Sequence, residues 1–116
     1  MYKRQEVRLA DLSDDDWTAA STDGLIVRAC QAAGFTPNLV SITRDQLAIR
    51  ALIIRGLAVT LAPQLLADGF SDVVLRPIAG RAPARDVYAL LPPGGRHPLV
   101  APALDALHAA AAELAR

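Results

Sequence analysis

Between residues 17 and 61 the chain passes repeatedly from short apolar runs to helically spaced ones, with only a few residues at each switch. Trp17-Thr18-Ala19-Ala20 is short and apolar enough for a strand. Leu25, Ile26, Ala29, Ala32 and Ala33 then recur at helical spacing, and Gly34 predicts the stop. Pro37 precedes a second strand expected over residues 38–42, with Leu39, Val40 and Ile42 apolar. A second helix is expected from Thr43-Arg44-Asp45-Gln46 to Arg55, ended by Gly56. Leu57-Ala58-Val59-Thr60-Leu61 follows as a near-continuous apolar run, the pattern of a central parallel strand covered on both faces. Strand–helix–strand–helix–strand with short connections predicts an α/β fold. Its sheet is mostly parallel and flanked by helices, and right-handed crossovers place helices on both faces.

The flanks carry weaker signals. Residues 1–11 are polar with a short alternation at Val7, Leu9 and Leu12, which predicts a connecting segment with at most an edge strand. Asp14-Asp15-Asp16 reads as a solvated acidic turn. Pro63 opens a short helix expected through Leu66, with Gly69 after it. A strand is expected over residues 73–78, pushed to an edge by Pro77, and another over residues 87–91. Pro92-Pro93-Gly94-Gly95 breaks the chain. Pro98 or Pro102 starts a final helix whose stripe is Val100, Leu104, Leu107, Ala111 and Leu114.

Composition excludes several classes. Hydrophobic residues make up 53% of the 116, enough for a packed core, so disorder is not expected. Lys+Arg 12 balances Asp+Glu 12, and no basic stripe is present, which argues against direct DNA binding by this segment. One cysteine, Cys30, permits no internal disulfide and suits a reducing cytoplasm. The charged start lacks the apolar stretch of a signal peptide, and no apolar run is long enough to cross a membrane. No P-loop, glycine-rich dinucleotide turn or nucleophile elbow is present, so no enzymatic activity is expected. No cofactor is implied. His97 and His108 have no partners at metal-ligand spacing, so no metal site is expected.

The order and spacing of several segments resemble LysR-type transcriptional regulators. Residues 41–63 read SITRDQLAIRALIIRGLAVTLAP: a polar loop, a helix, a Gly-Leu-Gly-like turn and a strand ending in Ala-Pro. Here Ala58 stands where the family more often has a second glycine. Upstream, LADLSDDDW over residues 9–17 resembles the family's lead into its second effector-binding subdomain. Downstream, RDVYAL over residues 85–90 resembles the return strand, and His97-Pro98 with the final helix resembles the closing element.

The resemblance implies a periplasmic-binding-protein-like subdomain with a returning strand and a C-terminal helix. On that plan residues 1–17 connect from a missing first subdomain, 18–86 form the second effector-binding subdomain, and 87–116 return to the first. It also implies an inducer-sensing role in the cytoplasm. The effector would be small, a small organic acid suiting the site residues. DNA would be reached only through an N-terminal helix-turn-helix domain that lies outside this sequence. The stripe of the last helix, left without a first subdomain, predicts self-association as a dimer or higher oligomer.

Candidate effector residues follow from where ligands sit in such folds. Open α/β sheets bind at the carboxyl ends of their strands, and helix N-termini favour anions. Ser21 and Thr22 stand at the first helix start and can offer hydroxyls and amides to a carboxylate. Asp23 beside them would repel one. Thr43 and Arg44 stand at the second, where Arg44 can pair a carboxylate bidentately. Ala62 and Pro63, after the third strand, can shape the cleft wall. Each also has a plainer reading. Ser21, Thr22 and Asp23 are N-cap candidates, and Thr43 with Gln46 has the spacing of a capping box. Arg44 then becomes a solvated arginine and Ala62-Pro63 a core terminus. Cys30 reads as a small core residue. A free-standing small-molecule binder, a protein-interaction domain and an enzyme with unrecognised catalytic residues are the rival readings.

Overall fold

A computed structural model describes residues 5–94 and 97–115. The start of the expected connecting segment and Gly95 of the expected turn lie outside them. The chain divides into two compact units, Met1–Pro83 and Ala84–Arg116.

In the first unit, strand β1 (Asp16–Ala19) pairs in parallel with β2 (Asn38–Ile42). Partners run from Asp16 with Asn38 to Ala19 with Ile42, and Val40 is left unmatched between Leu39 and Ser41, a β-bulge. A 3-10 turn, Leu9–Leu12, precedes β1. Helix α1 (Leu25–Ala32) joins the two strands, and α2 (Gln46–Ile54) follows β2. Both strands and both helices stand where the sequence places them. Both helices also end as their glycines require. Gly34 (φ 100°) and Gly56 (φ 71°) adopt the left-handed region. Around each, the two following amides fold back onto the last turn: Gly34 N–H to Gln31 O and Phe35 N–H to Cys30 O, then Gly56 N–H to Ile53 O and Leu57 N–H to Leu52 O. These are Schellman closures, which satisfy carbonyls that a helix end leaves open.

The core centres on β1. Trp17, Thr18 and Cys30 are fully buried. Trp17 packs with Leu9 and Cys30, and Ile26, Ala29, Phe35, Leu39, Val59 and Leu61 border that cluster. The indole N–H donates to Leu12 O at 3.0 Å, so its one polar group is satisfied. Phe35 lies 6.0 Å away, ring centre to ring centre, tilted by 48°. Burying an indole of roughly 200 Å² at about 25 cal/mol per Å² contributes on the order of 5 kcal/mol.

Three expectations are corrected. The run over residues 57–61 is not the central strand. It meets β1 at one bridge, Trp17 with Val59, closed by Thr18 N–H to Val59 O and Val59 N–H to Asp16 O. Beyond that bridge Thr18 O accepts from the Thr60 hydroxyl at 2.7 Å, and the ladder goes no further. β1, between β2 and Val59, holds the centre. Secondly, residues 73–78 form no strand beyond a single bridge from Ile78 to Val7. Pro77 has no amide to donate, and the contact is made by Val7 N–H to Pro77 O and Ala79 N–H to Val7 O. The segment after Pro63 is a 3-10 helix, Gln64–Phe70, longer than expected.

The third correction falls in the second unit, where residues 87–91 form no strand and pair with none among the described residues. An isolated apolar run has no ladder to join, so β-forming side chains alone do not make it a strand. Helix α3 (Val100–Leu114) forms as expected, with Pro102 in its first turn. No helix of the described residues is long and apolar enough to cross a membrane.

Candidate functional site

Because β1, β2 and the Val59 segment run in parallel, the loops that follow them leave the sheet at one edge. Ser21 and Thr22 follow β1, Thr43 and Arg44 follow β2, and Ala62 and Pro63 follow the Val59 segment. Thr43 N–H donates to Ala19 O at 2.9 Å, which ties the second loop to the end of β1. Ser21, Thr43 and Pro63 are half-buried, while Thr22, Arg44 and Ala62 are exposed.

The capping pattern differs from the expected one, and the difference bears on chemistry. None of Ser21, Thr22 and Asp23 caps α1. Its N-cap is Gly24, with no side-chain hydrogen bond to the first turn. A β-carbon built on Gly24 would stand 2.6 Å from the Ser21 hydroxyl, so that hydroxyl lies close against the helix start. At α2 the expected Thr43–Gln46 capping box is also absent. Asp45 is the N-cap, its carboxylate accepting from Leu47 N–H at 3.0 Å, and Thr43 Oγ1 accepts from Asp45 N–H at 3.1 Å. A carboxylate is a stronger acceptor than a hydroxyl and is further favoured at the positive end of a helix. The α2 start therefore already holds an anion, whereas the α1 start holds none on its cap.

The Arg44 guanidinium has no ion-pair partner among the described residues, where the single ion pair joins Arg50 to Asp72. Burial pushes the Cys30 thiol pKa up, which keeps it a neutral core group. Among the described residues, no group of three or more His, Cys, Asp or Glu is placed to hold a metal ion.

Two features had no usable signal in the sequence. Thr18, fully buried on β1, carries a hydroxyl with no hydrogen-bond partner. Its register partner is Ser41, so the two share one face of the sheet. A threonine in a strand is ordinary β-former usage, so its isolation is invisible before the fold is known. The second is a concavity of about 510 Å³ at the other edge of the sheet. Asp14, Asp15 and Asp16 line it at the start of β1, together with Ile54, Leu57 and Val74. It does not include the six residues named above.

No curated protein matches the chain. The family model described as the LysR substrate binding domain matches residues 2–112. Domains of this family have a periplasmic-binding-protein-like fold and bind small-molecule effectors in regulators of transcription. The parallel β1–α1–β2–α2 order agrees with an α/β domain of that kind. With the match running over nearly its whole length, this chain belongs to the LysR substrate-binding domain family.

Proposed function

We propose that the chain is the effector-sensing portion of a LysR-type regulator and that it takes a small organic acid at the carboxyl edge of its parallel strands. The observation that carries this reading is the uncapped start of α1 beside the tethered Thr43–Arg44 loop. Amides at a helix start attract a carboxylate, and Gly24 leaves the approach free of a capping side chain. Ser21 and Thr22 supply hydroxyls there. Arg44 supplies the unpaired positive charge, and Thr43, whose oxygen already accepts from Asp45, still has its own proton to donate. Ala62 and Pro63 form the neighbouring wall. Asp45 disfavours an anion at the α2 start, so the ligand is assigned to the α1 side.

In this reading residues 18–86 are the second effector subdomain and 87–116 belong with a first subdomain, which closes the cleft. Ligand then shifts the balance between open and closed arrangements in an oligomeric regulator. With zero net charge and no basic face, this segment leaves DNA contact to another domain. Its role is regulatory and not catalytic.

Calorimetric titration of the chain against a panel of mono- and dicarboxylic acids tests the assignment. At least one acid should bind, and Arg44→Ala should weaken it about tenfold or more, the usual loss for one charged hydrogen-bonding partner. Binding that Arg44→Ala and Ser21→Ala both leave unchanged would place the effector elsewhere.

A further inference from the structure

We propose that the concavity at the amino edge of the sheet docks a basic, aliphatic segment of a different protein, one in which arginines or lysines flank leucine-like side chains. The concavity joins an apolar floor to an acidic rim. Ile54, Leu57 and Val74 line it and remain 52%, 55% and 72% exposed, so a substantial apolar surface has no cover within the described residues. Asp14, Asp15, Asp16 and Asp72 line it as well, and no basic side chain does. Two of these carboxylates are engaged: Asp72 accepts from Arg50, and Asp16 accepts from Asn38. Asp14 and Asp15 are exposed and have no side-chain partner among the described residues. The site therefore asks for apolar contact and positive charge together.

The rim already shows what it accepts. Arg50 gives Nε and a terminal nitrogen to the two carboxylate oxygens of Asp72, so one arginine of the chain lies against an aspartate of this edge. Asp14 and Asp15 offer two more carboxylates, side by side, in a stretch that cannot neutralise them locally. From Leu9 to Val27 the chain has no lysine or arginine. Arg55, next to Gly56, is exposed and does not line the concavity. Adjacent like charges repel, and a cation laid between them relieves that repulsion, with arginine matching carboxylate geometry best.

The shape of the concavity favours a polypeptide over a small amine. Its floor is shallow, since Ile54, Leu57 and Val74 each keep more than half their surface in water. A compact amine would leave its outer face wet, and ion pairs that stay exposed contribute little. A chain segment spans floor and rim at once and excludes water from the contacts it makes. Complementary rim charges fix register and speed encounter, while the floor supplies the apolar area. Rim and floor both belong to the unit Met1–Pro83. This inference is independent of the effector assignment, whose residues lie at the opposite edge.

Fluorescence anisotropy of labelled synthetic peptides titrated with the chain tests it, with circular dichroism to confirm the fold of each variant. The probe is a peptide of leucines flanked on both sides by arginines. Its controls are an arginine–serine peptide of equal charge and a leucine–serine peptide without charge. The probe should bind about tenfold or more tighter than either control, and more weakly as salt shortens the screening length from about 10 Å at 0.1 M to about 3 Å at 1 M. Asp14→Arg with Asp15→Arg should weaken it about tenfold or more, and a probe with glutamate in place of arginine should then bind that variant. Val74→Ser should weaken the original probe about fivefold through the lost apolar contact. If the double reversal does not fold, Asp14→Asn with Asp15→Asn carries the same test with a smaller expected loss. A probe that does not bind overturns the proposal. So does an arginine–serine peptide that binds as tightly, which would mean charge attraction alone, or binding that neither the aspartate changes nor Val74→Ser weakens. Sedimentation showing that the aspartate changes abolish self-association while leaving probe binding intact would give the concavity to a second copy and equally sink the idea.

Discussion

Helices α1 and α3 begin from the same kind of sequence and finish in different environments. Each carries apolar residues three and four apart. The eight-residue α1 buries Val27 and Cys30, while the fifteen-residue α3 buries nothing, with Leu107 58% exposed. The difference lies in what flanks them. α1 connects two strands that pair with each other, and a crossover between parallel neighbours has to lie along the sheet. α3 follows a stretch that pairs with nothing among the described residues. Periodicity specifies that a helix has a stripe to bury. Topology decides whether there is a surface to bury it on.

The largest expected effect sharpens that contrast. Trp17→Ala removes the side chain at the centre of the α1 contact and should cost about 3–5 kcal/mol. That is a large part of the roughly 5–15 kcal/mol by which small domains are stable. The matching change on α3, Leu107→Ala, should stay within about 0.5 kcal/mol, as exposed substitutions do. Urea denaturation of both variants checks the pair. A cost above about 1.5 kcal/mol for Leu107→Ala would mean that the α3 stripe is covered in solution, and the contrast would fail.

The same contrast explains what the sequence made legible. The positions of β1, β2, α1 and α2 depend on local periods and on terminators such as Gly34 and Gly56, so they can be read directly. The place of β1 at the sheet centre cannot, because residues 57–61 are the more apolar run. They meet β1 at a single bridge, next to which the Thr60 hydroxyl donates to Thr18 O. The caps depend on similar local detail: Gly24 stands at the first helix start with no side-chain bond, and Asp45 takes the cap that Thr43 could fill. The edge from which the site loops leave follows from parallel order and was legible. The orphan Thr18 hydroxyl and the Arg50–Asp72 pair, 22 residues apart, depend on tertiary placement and were not.

The end of α1 offers a smaller test. Gly34 sits at φ 100° with open space where a β-carbon would go, so Gly34→Ala meets backbone strain and no clash. The left-handed conformation costs a non-glycine residue roughly 1–2 kcal/mol. Thermal melting should show a loss of that size, with the fold retained. The described end of α3 has no such glycine: Ala115, its C-cap, is right-handed at φ −79° and ψ −7°. A neutral Gly34→Ala would mean that the α1 terminus relaxes freely, as an unpacked helix end does, and the two helices would then differ less than their burial indicates.

The smallest expected effect concerns α2, which falls between the two cases with only Ile49 buried. On its exposed side Arg50 donates to both carboxylate oxygens of Asp72, through Nε at 2.9 Å and through the terminal nitrogen. The hydrogen bond from Arg50 is the main cause that holds the Asp72 pKa below its ordinary value. A carboxyl whose folded pKa is depressed contributes stability that is fully present above its unfolded value and is lost as pH falls through the folded one. Arg50 stays charged throughout, its own pKa raised by the same bond. The stability difference between the parent and Asp72→Asn should therefore be constant from neutral pH down to the ordinary carboxylate range, then shrink toward zero below it. It should also shrink in high salt, because side-chain exposures of 40% and 42% leave the pair well screened. Urea midpoints measured against pH for both proteins give the curve. A difference that persists unchanged into strong acid would show that Asp72 acts by packing and not by charge. α2 would then be held as α1 is, by contact, and burial alone would rank the three helices.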